Sequence, residues 1–241
     1  IRDDILDIIN NLKDLGVNIT VVSNGELIDK KVPCFEGVER LNVSIHSLDE
    51  NTYDNIVQRK GKLSKVIYNL SQLRNLNKKI DIRINMTVVR NQNDGIDNMK
   101  KIVSLAKKLN ASIKIIELFS ENKDQIVPIY EIKKELINLN FKVLEEFTHK
   151  IVLYDGVTKI ILSKIFCAAA NDRYNPNSFS NSFNDLFVSP NGVIKLCRYL
   201  EQEVSIKDEV INRDEKGLEK KIKLANELLG KHCPMNTITK L

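Results

Sequence analysis

Three cysteines near the C-terminal end, Cys167, Cys197 and Cys233, have the side chains in this sequence best suited to chemistry. Their thiolates, on separate segments, can converge on a metal or an iron–sulfur cluster, because the ligand must be a soft, deprotonated sulfur and a folded scaffold can bring distant sulfurs together. Cys197 closes the run Phe187-Val188-Ser189-Pro190-Asn191-Gly192-Val193-Ile194-Lys195-Leu196-Cys197, in which a Pro-Asn-Gly turn joins two apolar stretches. That pattern predicts a β-hairpin delivering a thiol at a strand end. Spacing alone also fits three small buried hydrophobes, the ordinary fate of free cysteine. Cys34 is a lone thiol in the loop after the first strand.

A second group of polar residues closes successive predicted strands: Ser23-Asn24-Gly25, then Ser44-Ile45-His46-Ser47, then Asn85-Met86-Thr87, then Glu117-Leu118. Small hydroxyl and amide side chains at consecutive strand ends suit a polar, ribose-bearing ligand, whose hydroxyls and carboxylate need donors and acceptors. Any one of them taken singly is turn chemistry, Asn24-Gly25 above all. Four in succession favour a ligand site. His46 has the residue type of a general acid or base and equally that of a strand-end hydrogen-bonding group. His149 lies in a strand connection, where the structural role is favoured. Glu117 suits burial against a ligand or pairing with a lysine.

These residues depend on the elements that carry them. A helix over residues 1–15 shows Ile5, Ile8, Ile9, Leu12 and Leu15 on one face and stops at Gly16. Strands follow over Val17 to Val22, Arg40 to Ile45, Ile80 to Val89 and Ser112 to Leu118, separated by helices around Tyr53 to Ile56, Val66 to Leu73 and Met99 to Ala106. This α-β alternation of short apolar strands implies an α/β fold with a parallel sheet, since parallel neighbours need crossovers and helices then cover the sheet. Sites in such sheets lie where strand C-termini meet loops. After about residue 120 the pattern changes to a helix near 129–140, strand-like runs Phe141 to Glu146, Ile151 to Tyr154 and Lys159 to Leu162 with an Asp155-Gly156 turn, the polar stretch Asn171 to Asn184, the hairpin, and a helix near 214–230. The expected boundary is near 125, with residues 1–125 one domain and 126–241 a small α+β module.

The totals bound the class. With 241 residues, 42 % hydrophobic and 29 % charged, and only nine glycines and five prolines, the chain is globular. Its longest apolar stretches, about five or six residues, are too short for a membrane span. The net charge of +5 is spread over helices of mixed sign, with no basic stripe and no Trp, so no nucleic-acid partner is expected. Four widely spaced cysteines without a signal-like start argue against a secreted disulfide scaffold and for the cytoplasm. The abundance of Asn, Ile and Lys reads as composition bias.

Residues 1–118 resemble radical SAM enzymes of the branch containing the GTP 3′,8-cyclases of molybdenum-cofactor synthesis. The resemblance is carried by Thr20-Val21-Val22-Ser23-Asn24-Gly25, Leu41-Asn42-Val43-Ser44-Ile45-His46-Ser47-Leu48-Asp49, Ile84-Asn85-Met86-Thr87-Val88-Val89 and Ile115-Ile116-Glu117-Leu118, in the family's order and at about its spacing. Later, Phe166-Cys167 resembles the opening of the family's auxiliary-cluster segment, Gly192 through Cys197 its Gly-x-x-x-x-Cys, and Cys233 supplies a further ligand. The resemblance implies a partial (β/α)6 barrel, its N-terminal strands missing, with a C-terminal α+β auxiliary-cluster module of the SPASM or twitch type. It implies S-adenosylmethionine bound across the strand ends, with Ser44 on the ribose or methionine portion, Ser23, Asn24 and Asn85 nearby and Leu118 near the adenine. It further implies a first [4Fe-4S] cluster that cleaves this cofactor to a 5′-deoxyadenosyl radical, which abstracts hydrogen from the substrate. An auxiliary [4Fe-4S] cluster would sit on Cys167, Cys197 and Cys233, and three protein ligands would leave one iron open to substrate. The implied partners are a small-molecule or peptide substrate and an electron donor such as flavodoxin or ferredoxin, without nucleic acid or membrane.

Two departures from the family pattern carry weight. Its first-cluster Cys-x-x-x-Cys-x-x-Cys loop and Gly-Gly-Glu motif do not occur in these residues, so the expectation is that the first cluster's ligands lie outside this chain. A sheet lacking those strands would expose an edge. The auxiliary segment reads Cys167-Ala168-Ala169-Ala170, with alanine where the cyclases carry a second cysteine, and this sets the chain apart from GTP cyclisation. It leaves room for peptide- or carbohydrate-modifying branches. Two rivals stand beside this reading. One is a degenerate, non-catalytic barrel binding a nucleotide or a protein partner; the other is a conventional α/β-barrel lyase, for which no strand-end lysine is placed to form a Schiff base.

Overall fold

Helices with one apolar stripe and strands with one apolar face can bury both only by stacking, and the chain does this in two separate places. The computed structural model describes residues 4–147, 150–164, 186–196 and 202–232. It divides into two compact units, Ile1–Ile165 and Phe166–Leu241.

The first unit runs α1 (Ile5–Asp14), β1 (Thr20–Ser23), β2 (Arg40–Ser44), α2 (Glu50–Val57), α3 (Leu63–Leu76), β3 (Asp81–Val88), α4 (Ile96–Leu109), β4 (Ser112–Glu117), α5 (Ile129–Asn138), β5 (Lys142–Phe147), β6 (Lys150–Tyr154) and β7 (Lys159–Ser163). One sheet takes the order β1-β2-β3-β4-β7-β6-β5. Pairing is parallel from β1 to β4 and from β4 to β7, then antiparallel through β6 and β5. The expected helix–strand alternation therefore holds through β4, with α2 and α3 crossing from β2 to β3 and α4 crossing from β3 to β4.

The boundary expected near 125 lies instead at 165. β7 pairs with β4, which sets Ile160 and Leu162 beside Ile113 and Ile115, and all four are fully buried. The Asp155-Gly156 hairpin forms as expected and folds β6 back onto β7. Residues 126–164 thus extend the first sheet and do not open a second module. Periodicity identifies a strand, but the partner it pairs with is a long-range choice.

β2 and β3 alternate strictly, as does β4 through Ile115. Leu41, Val43 and Ile45, then Ile82, Ile84, Met86 and Val88, then Ile113 and Ile115 are buried in one core with Ile9 of α1, Tyr53 of α2, Val66, Leu70 and Leu73 of α3, Ile102 and Ala106 of α4, and Ile132 and Leu136 of α5. The intervening residues form the opposite, half-exposed face. Two expectations shift at the N-terminal end. α1 ends at Asp14, so Leu15 becomes its C-cap and is 73 % exposed, while Gly16 turns the chain at φ +68°. β1 begins at Thr20, not Val17, because β2, its partner among the described residues, begins at Arg40 opposite Thr20.

In the second unit β8 (Phe187–Ser189), β9 (Val193–Lys195) and β10 (Glu203–Ser205) form an antiparallel sheet, followed by α6 (Lys207–Ile211) and α7 (Glu215–His232). The Pro-Asn-Gly hairpin forms as expected, with Gly192 at φ +75°. Ile194, Leu196, Val204, Ile206 and Ala225 make its small core. Among the described residues no helix is long and apolar enough to cross a membrane.

Candidate functional site

The parallel strands β1 to β4 end at one edge of the sheet, and asparagines from the connecting segments and helices fix those ends. At the end of β1 the Asn69 carboxamide, buried on α3, donates to the carbonyls of Gly25 (3.0 Å) and Glu26 (3.2 Å). Gly25 sits at φ +82°, and a Cβ there would stand 2.8 Å from Val66 Cγ1 and 3.0 Å from Val43 Cγ1. Only glycine combines that backbone with that closeness.

At the ends of β2 and β3 the buried Asn93 does similar work. Its Oδ1 accepts from Val89 N (2.7 Å), and its Nδ2 donates to the carbonyls of His46 (2.8 Å) and Thr87 (2.9 Å). Asn98 of α4 donates to the Asn93 carbonyl (2.9 Å) and accepts from the Ser47 hydroxyl (2.9 Å), whose oxygen accepts in turn from Asp49 N (3.0 Å). Asp49 then caps α2 by accepting from Thr52 N at 2.9 Å. The loop after β2 thereby hands α2 a capped start.

His46 lies inside this clasp. Its Nδ1 accepts from the backbone N–H of Thr87 at 3.1 Å, which fixes the neutral ring with its proton on Nε2. Burial holds the ring's pKa below the usual histidine value. Among the described residues Nε2 has no hydrogen-bond partner. The side chain is thus a neutral donor locked at a strand end, without the carboxylate that a proton relay would use.

The predicted ligand residues separate into two sets. Ser44 stands in register with Asn85, and the row continues through Lys114 and Ile161 on the half-exposed face. The row below it holds Val22, Asn42, Arg83 and Ser112. Arg83 donates to the Ser112 hydroxyl at 3.3 Å, and burial and then Arg40 depress its pKa against the opposing pull of Asp81. The guanidinium remains charged. Ser23, by contrast, is in register with Val43, and its hydroxyl accepts from Gly25 N at 3.1 Å. Asn24 is likewise engaged, accepting from Glu26 N and donating to Glu26 Oε1. The structure brings Ser44 and Asn85 together and gives Ser23 and Asn24 turn roles.

Glu117 pairs with no lysine among the described residues and accepts from Ile129 N at 3.0 Å, at the start of α5. Leu118 follows it, half-buried. The carboxamide oxygens of Asn42 and Asn85 are buried and have no hydrogen-bond partner among the described residues.

Asn42, Asn69, Asn93 and Asn98 were hidden in the sequence by an Asn-rich composition. The one available signal was Asn42 itself, an amide inside an apolar strand, where such residues are disfavoured. Cys167, Cys197 and Cys233 lie outside the described residues, as do His149 and the stretch 171–184. Among the described residues no group of three His, Cys, Asp or Glu could hold a metal ion.

No protein-family model matches the chain. It is 29 % identical over 231 residues to a probable GTP 3′,8-cyclase of Pyrobaculum aerophilum, which covers 90 % of this chain and 71 % of that protein. It is 26 % identical over 225 residues to the GTP 3′,8-cyclase of Clostridium perfringens strain SM101, covering 88 % of this chain and 66 % of that protein. Among solved structures, Streptococcus suis SuiB bound to S-adenosylmethionine matches 86 % of this chain and 49 % of its own, with a TM-score of 0.57 at 12 % identity. The chain thus spans about two thirds of the length of those cyclases and half of SuiB, and the last likeness is one of fold.

Proposed function

We propose that this chain, a radical SAM enzyme resembling the GTP 3′,8-cyclases, holds S-adenosylmethionine across the C-terminal ends of β1 to β4 and acts on a small-molecule or peptide substrate. The observation that carries the reading is the similarity to GTP 3′,8-cyclases along nine-tenths of the chain, 90 % in one relative and 88 % in another. The half-exposed face of the sheet fits the cofactor by its donor and acceptor chemistry. The orphaned Asn85 oxygen needs a donor, and Ser44 in the same register offers a hydroxyl of either sense. Ser44 and Asn85 are therefore the residues proposed to hold the ribose or methionine portion, with Leu118 near the adenine. Held there beside a reduced [4Fe-4S] cluster that donates one electron, S-adenosylmethionine would supply the chemistry of hydrogen abstraction from the substrate.

The second unit is proposed as a SPASM- or twitch-like module in which Cys167, Cys197 and Cys233 hold an auxiliary [4Fe-4S] cluster. Alanine at position 170, where the cyclases carry a cysteine, supports a substrate other than GTP for that module. Whether the outcome is oxidation or bond cleavage follows from that substrate.

Iron counting and Mössbauer spectroscopy after anaerobic reconstitution test the cluster assignment. The Cys197→Ala protein is expected to lose the iron of one cluster relative to wild type, and unchanged iron content would sink the assignment. Reductive cleavage of S-adenosylmethionine to 5′-deoxyadenosine by the reconstituted protein tests the activity, and its absence in the iron-loaded protein counts against it.

A further inference from the structure

We infer that Asn42 of β2 is a ligand-positioning residue that works with Asn85 of β3 to hold the hydroxyl- or amine-bearing part of a nucleoside against the half-exposed face of the sheet. The inference rests on the nucleoside-cofactor function proposed above and adds a role for Asn42, which lies within the Leu41 to Asp49 motif but is not among the strand-end residues.

The argument begins with what Asn42 does not do. Asn69, Asn93 and Asn98 each donate through their carboxamides to backbone carbonyls and so hold loops in place, even though the Asn69 Oδ1 is itself buried without a partner among the described residues. Asn42 makes no such bond, and its Oδ1 is buried without a partner among the described residues. Folding gains nothing from it, because Leu41 and Val43 on either side supply the buried apolar face of β2. A strand disfavours asparagine, and a buried acceptor without a donor costs free energy. An arrangement that weakens the free protein is retained where a ligand completes it.

Asn85 has the same defect on the neighbouring strand. The register sets Asn42 opposite Arg83 and Ser44 opposite Asn85, so the two asparagines are diagonal neighbours on one face of a parallel pair. The buried unsatisfied atom on each is the Oδ1 acceptor, which calls for a donor on the ligand. A phosphate or carboxylate offers no proton at neutral pH, whereas ribose hydroxyls and the exocyclic amine of a purine do. The pair therefore faces the neutral, donor-rich part of a nucleoside.

The experiment uses the whole chain with S-adenosylmethionine and GTP as separate titrants, followed by calorimetry, together with Tm measured without ligand. Asn42→Leu is expected to raise the ligand-free Tm by roughly 2–4 °C, since it removes an orphaned acceptor from a strand. It is expected to weaken binding of at least one nucleoside tenfold or more. Asn42→Asp, which keeps the acceptors, is expected to bind within about threefold of wild type, and Asn42→Ala serves if leucine crowds Arg83. Unchanged affinity in Asn42→Leu and Asn42→Ala, with wild type binding normally, overturns the inference alone. A lowered ligand-free Tm in both variants also overturns it, by making Asn42 structural. Absence of binding by wild type to either nucleoside removes the cofactor function itself, and the inference with it.

Discussion

His46 and Thr87 close the β2–β3 ladder through a side chain: the backbone N–H of Thr87 donates to the imidazole Nδ1 at 3.1 Å. Beyond the Ile45 N–H to Asn85 carbonyl bond, the ring takes the place of a backbone acceptor. Protonating Nδ1 would remove that acceptor, and burial already disfavours the charged ring.

The bond makes stability depend on pH in a defined direction. A histidine whose folded pKa is depressed contributes stability that is present above its unfolded pKa, about 6.5, and lost as pH falls through the folded value. Urea unfolding of wild type and His46→Gln should therefore diverge below about pH 6.5, wild type losing stability faster on acidification. Parallel curves from pH 7.5 to 5 would exclude the effect.

Asn93 satisfies three backbone groups with one buried carboxamide. Asn93→Ala strands all three, and a loss of about 3 kcal/mol is expected by chemical denaturation. Hydrogen exchange should show faster exchange at Val89 N, the donor to the lost oxygen. A loss below about 0.5 kcal/mol would mean the loop re-forms without the clasp.

Gly25→Ala combines strain at φ +82° with a Cβ 2.8 Å from Val66 Cγ1. The cost should be about 2 kcal/mol, read as a lower Tm. The double variant with Val66→Ala should recover the contact part of the loss but not the backbone part, a split that a double-mutant cycle measures.

Asp155 anchors the β6–β7 turn. It pairs with Lys107 of α4 at 2.6 Å and accepts from Val157 N (3.0 Å) and Thr158 N (2.7 Å). Burial alone would raise its pKa, but the Lys107 ammonium and these two N–H groups outweigh that and hold it below the usual aspartate value. Its stabilisation is therefore present above about pH 4 and lost as pH falls through the depressed folded value. Asp155→Asn should cost about 1–2 kcal/mol at pH 7, with the gap to wild type closing in acid. A gap constant down to pH 2.5 would show that the charge is irrelevant.

The helices and strands through β4, the stop at Gly16, the Asp155-Gly156 and Pro-Asn-Gly hairpins and the polar character of the strand ends were all legible in the sequence. Each is set by local periodicity or by a residue's own backbone preference. The sequence also carried the resemblance to radical SAM enzymes, because motif order and spacing survive without coordinates. It could not show that β7 would pair with β4 and move the boundary to 165, since pairing joins residues about fifty positions apart through backbone groups that every sequence shares. Nor could it separate Ser44 and Asn85, which share a row, from Ser23, whose register sets it with Val43. It likewise could not tell Asn69, Asn93 and Asn98, which hold loops, from Asn42 and Asn85, whose buried Oδ1 atoms have no partner among the described residues. Composition counts amides, and only packing decides which of them find a donor.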